Sequence, residues 1–380
     1  MRDAVIVDAV RTPVGRRNGA YKDTHPVDLS AHVLNALVDR TGIDPAVVDD
    51  VVWGVVGQVG AQALNVGRNA VLGAGWPESV PGTTLDRQCG SSQQAVHFAA
   101  AAVISGQVDV AVAGGVEVMT LVPMGASIGK DAGFPFGPRM MKRYEGQQIS
   151  QGLGAETIAE KWGLSRQQLD EFSLASHEKA AAAIDAGAFA GQYAPVPGTG
   201  LEVDEGVRRD TSLEKLGSLK PAFKEDGVIH AGNSSQISDG SGALLITTSE
   251  KARELGLKPL ARLHTFALAG DDPVIMLTAP IPATAKALAK SGLSINEIGA
   301  FEVNEAFAPV PLAWLSETGA DAKALNPLGG AIAIGHPLGG SGAILMTRLV
   351  HHMVDNGIRY GLQTMCEGGG MANATIIELL

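Results

Sequence analysis

Gly42-Ile43-Asp44-Pro45, which leads into Asp50-Val51-Val52-Trp53, has a counterpart in Gly292-Leu293-Ser294, which leads through Glu297-Ile298 into Phe301-Glu302-Val303. The offset, from Gly42 to Gly292, is 250 residues. The surroundings of the two stretches agree as well. Residues 4–8 read as a strand, and residues 28–41 carry Leu29, Val33, Ala36 and Leu37 at helical spacing; later in the chain a helical run at 282–291 again precedes the glycine. Residues 109–112 with Gly114-Gly115 match 362–365 with Gly368-Gly369, and a helix expected over 93–105 matches one over 341–353. Strands and helices that alternate in the same order at matched offsets predict two similar α/β halves, arisen by duplication and related by a pseudo-twofold axis.

The stretch between the halves has a different character. Residues 130–144 mix Gly, Pro, Phe, Met and Arg without a period and read as irregular loop; 151–188 read as helical, with Trp162, Leu169, Phe172 and Leu174 as apolar contacts; 195–206 read as loop again. The expected division is 1–118 together with 236–258, an inserted loop domain at 119–235, and 259–380. An excursion of that size is expected to form a lid and subunit contacts.

Composition narrows the class. A chain of 380 residues with 45% apolar and 18% charged content is expected to be an ordinary globular protein. A net charge of −11 argues against nucleic acid as partner, so an anionic ligand would need a local basic patch. Two cysteines make no disulfide framework, which points to a reducing compartment. The N-terminus runs directly into a strand without the apolar core of a signal peptide, and no apolar run is long enough to span a bilayer. A cytoplasmic enzyme without membrane partners is the expectation.

Both cysteines lie where backbone can approach closely. Cys89 stands in Asp86-Arg87-Gln88-Cys89-Gly90-Ser91-Ser92, directly before a helix whose N-terminus would favour the thiolate and which Ser91 or Ser92 could cap. Cys366 opens Cys366-Glu367-Gly368-Gly369-Gly370 after a strand-like run. His336, in Gly335-His336-Pro337-Leu338-Gly339-Gly340, has its backbone fixed by its neighbours and is a candidate base for a thiol. Asn304, in Asn304-Glu305-Ala306-Phe307, can donate to an oxyanion or hold a water, or else cap the following helix. The segment 232–242 is polar and flexible enough to wrap a ligand, and Arg208-Arg209 with Lys215, Lys220 and Lys224 is the basic cluster that could meet phosphates. Each of these also has a plain structural alternative: a buried thiol, a turn histidine, an interdomain loop, a solvated charged face.

Taken together and in order, Cys89-Gly90-Ser91, Asn304-Glu305-Ala306-Phe307, Gly335-His336-Pro337 and Cys366-x-Gly368-Gly369-Gly370 resemble the motifs of the thiolases, the acetyl-CoA acyltransferases, over essentially the whole chain. The resemblance implies an α/β thiolase fold, its duplicated halves packed as a layered αβαβα sandwich. It implies coenzyme A as substrate, no bound cofactor, no metal, and a dimer or tetramer with the excursion as tetramer contact. Cys89 would become acylated while His336 takes its proton, and Cys366 would exchange the α-proton. By the same likeness Asn304 with a water, beside His336, would hold the enolate oxygen. The N–H groups of Cys89 and Gly368 would form a second oxyanion hole. Ser235, Arg208 and Phe307 match coenzyme A contacts. Three departures stand out: Gln151 where short-chain biosynthetic members carry methionine, Glu367 in place of a commonly apolar residue, and Ala372 where glycine is frequent. The first favours a degradative 3-ketoacyl-CoA thiolase of β-oxidation acting on longer or bulkier acyl chains, sterol side chains included. The alternative is a biosynthetic acetyl-CoA acetyltransferase. A ketoacyl synthase would pair the cysteine with two histidines, or with a histidine and an asparagine, where this chain has Cys366. A papain-like protease would show a tryptophan soon after the cysteine, which is absent.

Overall fold

The computed structural model describes residues 2–128 and 133–380. Its first series of elements comprises β1 (Val5–Arg11), β2 (Gly15–Arg16), α1 (Pro26–Thr41), a 3-10 turn at Pro45–Val47, β3 (Asp50–Gly54), α2 (Val66–Gly73), β4 (Gly82–Leu85), α3 (Ser91–Ser105) and β5 (Val110–Val118). The chain then leaves the sheet through α4 (Pro138–Arg143), α5 (Gln151–Lys161), α6 (Arg166–Asp185) and α7 (Leu213–Gly217), and returns as β6 (Ser238–Thr247) and α8 (Ser249–Glu254). The second series comprises β7 (Ala261–Gly270), α9 (Pro280–Ser291), a 3-10 turn at Ile295–Glu297, β8 (Ala300–Val303), α10 (Pro309–Thr318), α11 (Ala331–Ile334), α12 (Leu338–Asn356), β9 (Tyr360–Glu367) and β10 (Met371–Leu379).

The strand order is β4-β3-β5-β6-β1-β7-β10-β9-β8. Read from the middle outward, the two sides repeat each other. β1 and β7 lie antiparallel to β6 and β10, these lie antiparallel to β5 and β9, and those lie parallel to β3 and β8. The place of β4 is held in the second half by one parallel bridge between Phe301 and Leu325. The ladder between the sides is short: among the described residues β1 pairs β7 at Val5 with Arg262 and Ile6 with Ala261. The repeat read in the sequence is therefore a repeat of the fold.

Strand alternation builds five layers. On the first half, Val51, Trp53, Val112 and Leu245 face outward onto Leu29, Val33 and Leu37 of α1. Their neighbours Val52, Ala111, Ala113, Leu244 and Ile246 face inward onto Val96 and Ala99 of α3 and Met346 and Val350 of α12. On the second half Phe301, Val303, Leu362 and Ala374 pack outward on Ala283, Ala287 and Trp314 of α9 and α10. α3 and α12 thus form the central layer between the halves, which is the αβαβα arrangement. A Cβ on Gly342 would fall far inside contact distance of Gln93, so the absence of a side chain there is what lets α12 meet α3.

Four local expectations change. The helical run at 151–188 is broken at Gly163 (φ 62°), after which Ser165 and Gln168 close a capping box on α6. Within 130–144 the chain forms α4, and 130–132 lie outside the described residues. Neither Ser91 nor Ser92 caps α3, whose N-cap is Gly90; Ser92 Oγ instead accepts from Ala343 N of α12 (2.9 Å). Asn304 does not cap α10, which begins after Ala308. Among the described residues no helix is long and apolar enough to cross a membrane.

Candidate active site

Cys89 sits at the crest of a turn wound by its own side chains. Asp86 Oδ1 accepts from Gln88 N at 2.6 Å, and Ser91 Oγ accepts from Arg87 N at 2.9 Å while donating to Gln88 O at 2.6 Å. These bonds hold Gln88 in the left-handed region (φ 49°), a conformation that costs a non-glycine residue on the order of 1 kcal/mol. The thiol of Cys89 is buried. The helix N-terminus was expected to favour the thiolate, but burial outweighs it. Burial first, then the Glu367 carboxyl, push the Cys89 thiol up to about 12, against hydrogen bonds from the Gln151 side chain and the N–H groups of Cys89 and Gly368. The resting nucleophile is a neutral thiol that needs a base.

His336 supplies one. Its loop is held by a buried carboxylate: Glu305 accepts from Asn326 Nδ2 (2.9 Å), Ser176 Oγ (2.7 Å) and Ile332 N (3.2 Å). Gly335 adopts φ 101°, and a Cβ there would lie 2.6 Å from Ser238 Oγ, so glycine is required both conformationally and sterically. The backbone N–H of His336 donates to Gln236 O at 3.1 Å. Its tautomer follows from its partners. Ser341 Oγ donates its one proton to Pro337 O (2.9 Å), so at 2.6 Å from His336 Nδ1 it accepts, which places the imidazole proton on Nδ1. Nε2 is left as an acceptor, and the Nδ2 donor of Asn304 lies 3.4 Å from it. Burial lowers the imidazole to about 4, so it is neutral at physiological pH.

Cys366 is the penultimate residue of β9 and is buried among Ala306, Phe307 and Ile332. Its thiol is pushed well above the usual range by burial, with the Cys89 sulfur as the next cause, and it is hydrogen-bonded by the Asn304 side chain. A Cβ on Gly368 would stand 2.8 Å from Gln88 Oε1, so a side chain there would displace the Gln88 amide beside the Cys89 sulfur. The structure thus brings Cys89, Gly368, Cys366, Asn304 and His336 into one chain of contacts, although they lie on four separate segments.

Arg208 and Ser235 line a common cleft of about 750 Å³ with Arg16, Arg17, Arg209 and Gln236. Of these cations Arg16 is paired with Glu205 and Arg209 with Asp185, whereas Arg17 and Arg208 form no ion pair among the described residues. The cleft connects to the imidazole through Gln236, which lines it and holds His336 N. Phe307 is buried against Phe223 (5.9 Å, edge to face) and meets the cleft segment through its backbone bridge to Ser234. Lys220 and Lys224 do not line the cleft. Sequence reasoning missed the supporting set: Ser341, Gln236, Asn326 and the anchoring role of Glu305. None has a local signal, because each acts on a partner distant in the chain or through a side-chain direction.

Comparison with known proteins decides the family. Residues 4–250 match the model of the thiolase N-terminal domain and residues 257–379 that of the thiolase C-terminal domain. The chain belongs to the thiolase family. It is 51% identical over 388 residues to a steroid 3-ketoacyl-CoA thiolase of Mycobacterium tuberculosis, covering all of this chain and 95% of that protein. It is 44% identical over 392 residues to a 3-ketoacyl-CoA thiolase of Pseudoalteromonas translucida, covering 100% and 99%. A 3-ketoacyl-CoA thiolase of Escherichia coli matches at 42% over 392 residues. As a thiolase the chain is an acyltransferase that uses coenzyme A as substrate.

Proposed function

We propose that this thiolase splits 3-ketoacyl-CoA, in the degradative direction, into acetyl-CoA and an acyl-CoA shortened by two carbons. The observation that carries the reading is the pair of buried thiols, Cys89 and Cys366, linked through Asn304 to a neutral imidazole whose Nε2 is its acceptor. With burial raising the thiol and lowering the imidazole, proton transfer between them at rest is unfavourable, so the thiolate is not stored. Transfer of the Cys89 proton to His336 accompanies attack of sulfur on the β-carbonyl. The developing oxyanion meets the N–H groups of Cys89 and Gly368, which offset part of that cost. The Cα–Cβ bond then breaks, its electron pair goes to the enolate of acetyl-CoA, and Cys366 gives that carbon a proton. Free coenzyme A gives its thiol proton to the Cys366 thiolate and attacks the Cys89 thioester, and the departing Cys89 sulfur takes its proton back from His336, so one thioester is exchanged for another at little net cost.

The remaining features of the reading rest on chemistry of the same kind. Arg208 and Ser235 receive the adenosine and pantetheine ends of coenzyme A, with Phe307 backing the segment, and no further cofactor takes part. The substrate class is a long or bulky acyl chain of the kind named for the mycobacterial relative; Gln151 in place of methionine supports it. Exposed Leu121, Met124, Phe134 and Phe136 in the excursion support a homotetramer built on that face. The 119–235 excursion serves as a separate loop domain. Two thiols that must stay reduced fit the cytoplasm. Thiolysis measured across a ladder of 3-ketoacyl-CoA lengths, with a steroid side-chain analogue at its end, tests the reading. Turnover is expected to rise toward the bulky end and to vanish in Cys89→Ala; turnover confined to acetoacetyl-CoA would overturn the substrate class, and an active Cys89→Ala protein would overturn the mechanism.

A further inference from the structure

Buried carboxylates in this fold are normally surrounded by donors. Glu117 accepts from Val56, Gly57 and Gly339 N, Glu156 from Val228 and Ile229 N, and Glu305 from three groups around the His336 loop. Glu367 is the contrast. It is fully buried, yet among the described residues neither carboxyl oxygen has a hydrogen-bond partner. It follows Cys366 directly in the chain and presses its carboxyl on Gly90, the residue after Cys89: a Cβ on Gly90 would fall far inside contact distance of Glu367 Oε1 and 2.8 Å from Asn373 Nδ2. Asn373, from β10, donates to Gly90 O at 3.0 Å, and its own Oδ1 is a buried acceptor without a donor. Both carboxyl oxygens of Glu367 and Asn373 Oδ1 are thus buried acceptors without a partner among the described residues, and both side chains press on Gly90.

We propose that Glu367 is a positioning residue: as a neutral acid it seats the Cys89 turn on the strand that carries Cys366, and as a carboxylate it opposes negative charge on either sulfur. The groups that face it are few. The turn contributes Asp86, Arg87 and Cys89, its own strand contributes Cys366, β10 contributes the uncharged Asn373, and α3 contributes only the backbone of its Gly90 cap. Burial pushes the acid up to about 8, against the pull of Arg87 and with the push of Asp86, so the change of charge falls in the range where enzymes are assayed. Both thiols are raised by Glu367. Because Cys89 must carry negative charge during attack, ionised Glu367 works against the step its neutral form permits. The inference rests on Cys89 as the nucleophile.

The test follows the rate of Cys89 alkylation by iodoacetamide, and kcat/KM for thiolysis, from pH 6 to 10 in wild type, Glu367→Gln and Glu367→Met. Above pH 8 the rate constant for alkylation is expected to be about ten-fold higher in Glu367→Gln than in wild type, since one unit charge at this range shifts a thiol by at least a pH unit. The fall in wild-type kcat/KM above pH 8 is expected to be absent from Glu367→Gln. Glu367→Met, which removes the charge without the polar shape, is expected to reproduce the alkylation profile, and so serves where Glu367→Gln folds poorly. Superimposable alkylation profiles for all three proteins would overturn the proposal while leaving Cys89 as nucleophile. Loss of Cys89 alkylation with retained turnover would instead defeat the underlying mechanism.

Discussion

Ser341 shows how much of the chemistry depends on one hydroxyl. It accepts from His336 Nδ1–H and so leaves Nε2 as the base; the hydrogen bond at 2.6 Å has no substitute in Ser341→Ala. That variant is expected to lose about three- to ten-fold in kcat/KM, the worth of one hydrogen bond near 1 kcal/mol, with KM little changed. Steady-state kinetics checks the split; a loss confined to KM would contradict the role in proton transfer. Glu367 also leaves a mark on stability, and the sign can be worked out. Its acid is raised to about 8 in the folded chain, above the ordinary 4.5, so the native state holds a proton that the unfolded chain has released between those values. Stability from this group is fully present below 4.5 and is lost as pH rises through 8, at up to about 1.4 kcal/mol per pH unit. Glu367→Gln should therefore gain on wild type in denaturant melts as pH is raised from 5 to 8; a difference independent of pH would contradict it. The sequence marked Glu367 as a departure without disclosing its burial, because the contact that buries it, Gly90, lies far away in the chain.

Among the elements, α3 and α12 matter most, since each carries a catalytic segment at its N-terminal end and they touch through backbone. Gly342→Ala should drive α12 away from Gln93 and cost about 1–3 kcal/mol, with Cys89 and His336 displaced together. Urea denaturation of the variant checks the stability, and an unaltered midpoint would contradict the close approach. Glu305→Ala leaves Ile332 N, Ser176 and Asn326 without an acceptor in the interior, at an expected loss of about 2–4 kcal/mol by the same measurement. This is the scale at which sequence reading succeeded and failed in an instructive way. β1, β3, β5, β8 and β9, with α1, α3, α9 and α12, were legible because apolar period and glycine punctuation are local signals that here occur twice; β4, β7 and β10 were not read. The caps were not: Ser91 and Ser92 have the right chemistry for one, but their hydroxyls are taken by the Cys89 turn and by Ala343 of α12, and nothing in the neighbouring residues announces that. Asn304 offered two readings of equal local merit, and only the position of His336 separates them.

For the whole molecule, the duplication makes two sides of one sheet joined by a short β1–β7 ladder, and the halves are not independent. Gln93 of α3 donates to Gln363 O and to Thr375 Oγ1 of the opposite half at 3.1 and 2.7 Å, and α12 supplies apolar residues to the core beneath the first half. Calorimetry is therefore expected to show one cooperative transition for both halves, with no separate melting of either; two resolved transitions would contradict a shared central layer. That layer is also what brings two cysteines separated by most of the chain into one pocket, which is the claim on which the function rests. Its most direct test is to incubate Cys366→Ala protein with acetyl-CoA, quench, digest and locate the acyl group by mass spectrometry. The expected result is a single thioester on the peptide containing Cys89, formed without carbon–carbon bond formation. An acyl group found on any other residue, or no adduct at all in a folded protein, would contradict the division of labour between the two thiols.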